Sequence, residues 1–407
     1  MVDRLKTLWV TKWWFRVLAA WAATRVVATA LILWAASIEG PSYWVPKSNP
    51  NYFDFLTFWD VGWYQKIFDY GLGDLPGYSV HLPIEPNGAI AQNAWAFMPG
   101  FPLLVRAMTS ITGDVIEWKF MAPTLSLLLS FVLALVMYRI FALRFDDSVS
   151  LWAVTLFGFS VSGAVLQTGY AETLGLLLLA LALYYLMQHR YFVALPALIG
   201  LSITRPGMVA FALVLAGLWA LRWWNGKKGT DEFPTTERWK LAILTGLSGL
   251  LGLAWPLFAW WATGRMDAYT QTELAWRSAD PHRQLVWFGG WADLGASMFG
   301  VFWAPMFVLG LILAISRLMF TKSVKMLGNE LRLWVGAYLL YVLIFFNPQS
   351  STFRILMPAF PLLAVFALKT AKLSKLAKWF ILVALTVLQM IWLAVCWVYV
   401  SPDFTPP

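Results

Sequence analysis

The residues able to do chemistry fall in five short stretches, and the first sets an aspartate among aromatics: Phe58-Trp59-Asp60-Val61-Gly62-Trp63-Tyr64. This stretch follows the first long apolar run, where water is scarce. A carboxylate there is partly desolvated and suited to take a proton from a hydroxyl. The same residues also fit an interfacial helix, with Asp60 as its N-cap and the rings as a membrane belt. The second stretch, Ala96-Phe97-Met98-Pro99-Gly100-Phe101-Pro102-Leu103-Leu104-Val105-Arg106, ends in a cation. Gly169-Tyr170-Ala171-Glu172, Thr204-Arg205-Pro206-Gly207 and Thr352-Phe353-Arg354-Ile355-Leu356-Met357-Pro358 complete the series. Ionisable groups at membrane depth are costly, which makes Glu172, Arg205 and Arg354 candidates for function. Arginine also presents the planar fork that grips a phosphate in two places. Two structural readings stand beside these: an ion pair between Arg205 and Glu172, and cations snorkelling to lipid headgroups.

The elements that must carry these stretches are membrane helices. Of 407 residues, 60% are hydrophobic and 13% charged, about half the roughly 25% charged residues of a soluble domain. Mean hydropathy is +0.66. The 26 Trp and 29 Phe suit a chain with two membrane–water interfaces. Apolar runs occupy 17–37, 118–141, 149–167, 171–187, 192–203, 207–221, 241–263, 294–315, 333–346, 355–368 and 379–400. The predicted fold is an all-α polytopic membrane protein of about 11 spans, forming one domain over 1–407. The first run follows Arg4, Lys6, Lys12 and Arg16 and reads as a retained signal anchor with its N-terminus in the cytoplasm.

The run 94–111 contains Pro99, Gly100, Pro102 and Arg106, and charge decides its status. If it stays on the outer side as a re-entrant or surface helix, 20 of the 30 Lys and Arg residues fall on inner segments and nine outside, with Arg25 within the first span. If it spanned, every later loop would flip and the bias would reverse, against the positive-inside rule. Two long outer loops result, 38–117 and 264–293, and any chemistry belongs to that side. The segments 192–203 and 207–221 read as a hairpin, since one helix over both would run about 45 Å. The C-terminal residues 401–407 then lie outside.

The formal charge of +9 does not point to nucleic acid, because the cations sit in short clusters between apolar runs as topology signals. One cysteine, Cys396, allows no intramolecular disulfide and no cysteine-based metal site. The three histidines, His81, His189 and His282, have no carboxylate at ligand spacing, and Asp146-Asp147 beside Arg144 reads as a solvated inner turn. No metal or cofactor is required.

Taken in order, Trp-Asp-x-x-Trp-Tyr, Ala-Phe-x-Pro-x-x-Pro-Leu-Leu-x-Arg, Tyr-x-Glu and Thr-Arg-Pro resemble the GPI mannosyltransferase II (PIG-V-like) family of GT-C membrane glycosyltransferases. The likeness is best from Phe58 to Gly207; beyond it, the Arg354 segment is similar to the Arg-x-Leu-x-Pro turns of GT-C enzymes. The pattern departs at Val61, where a small residue is usual, and over 71–93 with His81, Glu85 and Asn87. The resemblance implies a GT-C-like bundle and an inverting transferase that uses polyprenyl- or dolichyl-phosphate mannose. The general base would be Asp60. Arg354 or Arg205 would meet the donor phosphate, with Glu172, Tyr170, Trp59, Trp63, Tyr64 and Arg106 contributing to substrate binding. The implied partners are the lipid-phosphate donor, a glycolipid acceptor and membrane lipids. Rival readings are a GT-C transferase of arabinose or glucose, a silent scaffold subunit, and a transporter. Short basic inner loops suit a bacterial plasma membrane, with the site on the periplasmic or extracellular face.

Overall fold

In hydrocarbon every backbone polar group must find its partner within the chain, so long apolar runs fold as helices. A computed structural model describes residues 12–41, 48–73, 77–278 and 280–398. Arg4, Lys6, Lys47 and the segment 401–407, which the topology argument used, lie outside these residues. Six helical segments are long and apolar enough to cross a membrane: Trp13–Ile38, Trp118–Ala142, Met208–Lys227, Thr235–Thr263, Val301–Phe320 and Lys375–Cys396. Their outward faces carry large apolar side chains, including Leu250, Trp261, Leu313, Phe380 and Val383, which need lipid as solvent. The chain is a helical membrane protein.

Several predicted runs fold as shorter pieces. The run 355–368 carries Pro358 and Pro361 and becomes Thr352–Ile355, a 3-10 turn Met357–Ala359, and helix Pro361–Thr370, since proline has no N–H to continue the ladder. The run 294–315 breaks at Gly300, whose φ is +91°; Gly289–Phe299 precedes the break and Ala304–Phe320 follows a 3-10 turn. Gly100–Ile111 has 12 residues, about 18 Å at 1.5 Å each, too short to cross.

Two compact units divide the chain. The first comprises Met1–Val61, Met108–Tyr184 and Ser350–Pro407. There, helix Trp13–Ile38 packs against Trp118–Ala142, Asp147–Gly158 and Lys375–Cys396. Asp146 caps Asp147–Gly158 by accepting from the Val149 N–H at 2.9 Å, and Asp147 pairs with Arg16 at 2.6 Å. That helix has only 12 residues; the chain turns through Phe159-Ser160-Val161-Ser162 and resumes as the 3-10 turn Gly163–Gln167.

Arg25 supplies what the break removes. Buried in the middle of the first helix, it donates from Nη2 to the Gly158 carbonyl at 2.8 Å and from Nη1 to the Gly163 carbonyl at 2.7 Å. Gln389 adds a hydrogen bond to the Ser160 carbonyl at 2.7 Å. The cation thus caps the negative end of an interrupted helix. A Cβ on Gly163 would come within 2.5 Å of the Gly158 oxygen, so the return of the chain is open only to glycine.

The second unit comprises Gly62–Ala107 and Tyr185–Gln349. Here Met208–Lys227 packs against Thr235–Thr263 and Asn329–Phe345. Gly264, at φ +70°, ends the helix Thr235–Thr263 in the left-handed conformation glycine favours. Arg222 ties down the connection between the two long helices, donating to Glu237 at 2.5 Å, Asp231 at 3.1 Å and Tyr191 at 2.8 Å. Parts of the two predicted outer loops fold together in this unit. Arg283, buried, donates to the Ile90 carbonyl at 2.5 Å, and Asn93 donates to Thr272 at 3.0 Å.

Candidate active site

Two carboxylates of the first unit each stand at the start of a helix, and both converge on one arginine. Asp60 is the first residue of helix Asp60–Tyr70, and Glu172 opens Glu172–Met187. Acidic side chains are favoured at these positive helix ends. Arg354, on the short helix Thr352–Ile355, reaches both from Nη1, at 2.6 Å to Asp60 Oδ2 and 3.0 Å to Glu172 Oε1.

Local backbone explains the aim of Asp60. The residue before it, Trp59, has φ +61°, a left-handed conformation that costs a non-glycine residue about 1–2 kcal/mol. Its indole donates to the Trp397 carbonyl at 3.4 Å, and Trp397 in turn donates to the Phe55 carbonyl at 3.1 Å. These anchors hold the kink from which the helix starts. Gly169 brings the next motif close, because a Cβ there would stand 3.0 Å from Val61 Cγ1.

Tyr170 completes the group. Its ring lies under the Arg354 guanidinium at 4.9 Å, and its hydroxyl accepts from the Asp60 N–H at 3.4 Å. Burial, and then the Asp60 carboxylate, push the Tyr170 hydroxyl well above its usual range, so it remains a neutral phenol. Burial opposes the charge on Arg354, but Asp60, Glu172 and Tyr170 outweigh it and raise its pKa above the ordinary arginine value. The cation is therefore permanent.

Accessibility separates the two acids. Side-chain exposure is 19% for Asp60 and 3% for Glu172. Asp60 can meet a substrate, whereas Glu172 faces the protein. Arg354 keeps one donor in reserve: its Nε is buried and has no hydrogen-bond partner among the described residues. Such a site can receive a proton at Asp60 and an anion at Arg354.

The other predicted residues belong to the second unit. Trp63 stacks on Phe97 at 5.8 Å, meets Trp276 edge-on at 5.7 Å and carries the Lys66 ammonium over its face at 4.0 Å. Tyr64 is buried edge-on to Phe97 and Phe101. Arg106 donates to the Phe68 carbonyl in the last turn of Asp60–Tyr70, which is a helix-capping role. Arg205 shares the surroundings of Tyr269 and Tyr341 with Glu273. Glu172 forms an ion pair with Arg354 at 3.0 Å, where the sequence had offered Arg205 as its partner. The second and fourth motifs do meet, since the Gly100 N–H donates to the Ile203 carbonyl at 2.6 Å and a Cβ there would lie 2.3 Å from Thr204 Oγ1.

Sequence reasoning missed Trp397, which tilts over Tyr170 at 5.3 Å, and it gave Arg25 no role. A cation in the middle of an apolar run was the signal for the second; nothing marked the first. Compared with models of known protein families and with curated proteins, the sequence matches none of them.

Proposed function

We propose that this chain is an inverting glycosyltransferase of the GPI mannosyltransferase II-like, GT-C type. It moves mannose from polyprenyl- or dolichyl-phosphate mannose to a lipid-anchored glycan of the phosphatidylinositol type. One observation carries the reading: the accessible carboxylate of Asp60 stands 2.6 Å from a buried arginine whose Nε has no acceptor among the described residues. That pairing suits a reaction in which a hydroxyl loses a proton while a phosphate departs.

The acceptor O–H bond breaks and its proton goes to Asp60. The acceptor oxygen forms a bond to the anomeric carbon from the face opposite the phosphate. The bond from that carbon to the phosphate oxygen breaks, and its electron pair stays on the lipid phosphate. Arg354 stabilises the charge that collects there. Tyr170 holds the guanidinium face and the start of the Asp60 helix in place. The scheme places the bundle, with about 11 spans, in a bacterial plasma membrane, N-terminus in the cytoplasm and site on the outer face.

The test is transfer of radiolabelled mannose from synthetic polyprenyl-phosphate mannose to native lipids. Wild type should label a lipid fraction, and Asp60→Asn should lower the rate about 100- to 10,000-fold while still binding the donor. Near-normal turnover by Asp60→Asn would remove Asp60 as base. A second reading, transport of a lipid-linked sugar, draws on the interrupted helix at Gly158 and Gly163 capped by Arg25, because broken helices with ionisable partners mark transporter sites. It requires labelled lipid to change leaflet with no new glycosidic bond.

A further inference from the structure

The charges around Arg354 do not balance for a third anion beside Asp60 and Glu172. Nη1 donates a hydrogen bond to Asp60 and forms an ion pair with Glu172, so both carboxylates draw on the same end of the guanidinium. The side-on fork of a guanidinium combines Nε with Nη2, and a phosphate prefers such a fork. In Arg354 the Nε half of that fork is buried with nothing to bond among the described residues. A phosphate arriving there would join two carboxylates around one cation, so one carboxylate must let go. Glu172 is sealed in the protein, at 3% side-chain exposure. Asp60 is the more exposed acid and sits at the first turn of its helix.

We propose that Arg354 is handed over from Asp60 to the phosphate group of an incoming lipid phosphate, while Glu172 keeps hold of the guanidinium throughout. This rests on the reading of the site as a lipid-phosphate glycosyltransferase. In the free protein the base is masked by the arginine. Arrival of the donor draws the arginine away and leaves Asp60 able to accept the acceptor proton. Asp60 and the phosphate are competitors for one cation, so the base becomes available only when a donor is in place. Glu172 acts here as a positioning residue, since it touches Arg354 and not the reacting atoms.

Competition has a signature that a static ion pair lacks. Polyprenyl phosphate without sugar is titrated into the purified full chain in lipid nanodiscs and binding is followed calorimetrically. Asp60→Asn, which removes the competitor, should bind about tenfold more tightly than wild type. Arg354→Lys keeps a charge opposite Glu172, and so the fold, but has no fork; it should bind at least tenfold more weakly. In that background Asp60→Asn should change affinity less than twofold. Inorganic phosphate at millimolar concentration should displace the lipid from wild type and more readily from Asp60→Asn. Failure to displace would mean that the lipid chain, not Arg354, carries binding, and would overturn the proposal. Equal affinity in wild type and Asp60→Asn would overturn the handover and leave the proposed reaction standing. If the binding pattern appears but no mannose is transferred, the handover stands and the sugar or reaction is wrong. If wild type binds no polyprenyl phosphate, both fall.

Discussion

At the scale of single residues, Asp60, Glu172 and Arg354 form a set of charges with the neutral hydroxyl of Tyr170 among them. Because the Tyr170 pKa lies well above 10.0, the phenol stays protonated through the whole working range. A raised tyrosine pKa moves any alkaline loss of its proton to still higher pH, so it cannot produce an alkaline fall in rate below about pH 10. Tyr170→Phe should therefore lower the rate through lost positioning, about tenfold, without moving the pH–rate profile. A shifted alkaline limb in that variant would show that Tyr170 titrates during turnover. Asp60 and Arg354 were legible in the sequence because charged residues are rare in so apolar a chain and each sits in a recognisable motif. Their pairing was not legible: 294 positions separate them, and no local pattern encodes a partner at that distance. Glu172 illustrates the point, since the sequence offered Arg205 as its partner and the fold brings Arg354 to it at 3.0 Å.

At the scale of elements, hydropathy located the helices and failed at their interruptions. The run 149–167 reads as one span because every residue near its middle is small or apolar, yet Gly158 and Gly163 release the chain. The cation at Arg25, far away in sequence, satisfies two of the carbonyls that the release frees. Arg25→Met should leave the Gly158 and Gly163 carbonyls unsatisfied at about 1–3 kcal/mol each. The expected result is a lower thermal midpoint in detergent, read by fluorescence, whatever happens to activity. An unchanged midpoint would mean that other groups or water replace the guanidinium. Arg106 carries the opposite lesson. The family resemblance implies a substrate-binding role for it, and its hydrogen bond caps the last turn of Asp60–Tyr70.

At the scale of the whole molecule, charge distribution makes a prediction about sidedness. Cys396 is the single cysteine and is buried, so introduced cysteines report alone. Glu85→Cys, in the loop 71–93, should react with a membrane-impermeant maleimide on intact cells, and Lys228→Cys only after permeabilisation. The reverse pattern would invert the topology and move the candidate site to the cytoplasm. The Arg25 cap also has a consequence for how the chain is made. Its carbonyl partners lie 133 and 138 residues later in the sequence. Synthesis at roughly 5–20 residues per second delivers them on the order of ten seconds after Arg25 itself. During that interval the first helix holds an arginine at a depth where insertion costs about 2.5–3.5 kcal/mol. The helix should therefore linger beside the translocon rather than leave for the bilayer, and a nascent chain stalled before Asp147 should crosslink to it through Arg25's neighbours longer than one stalled after Gln167.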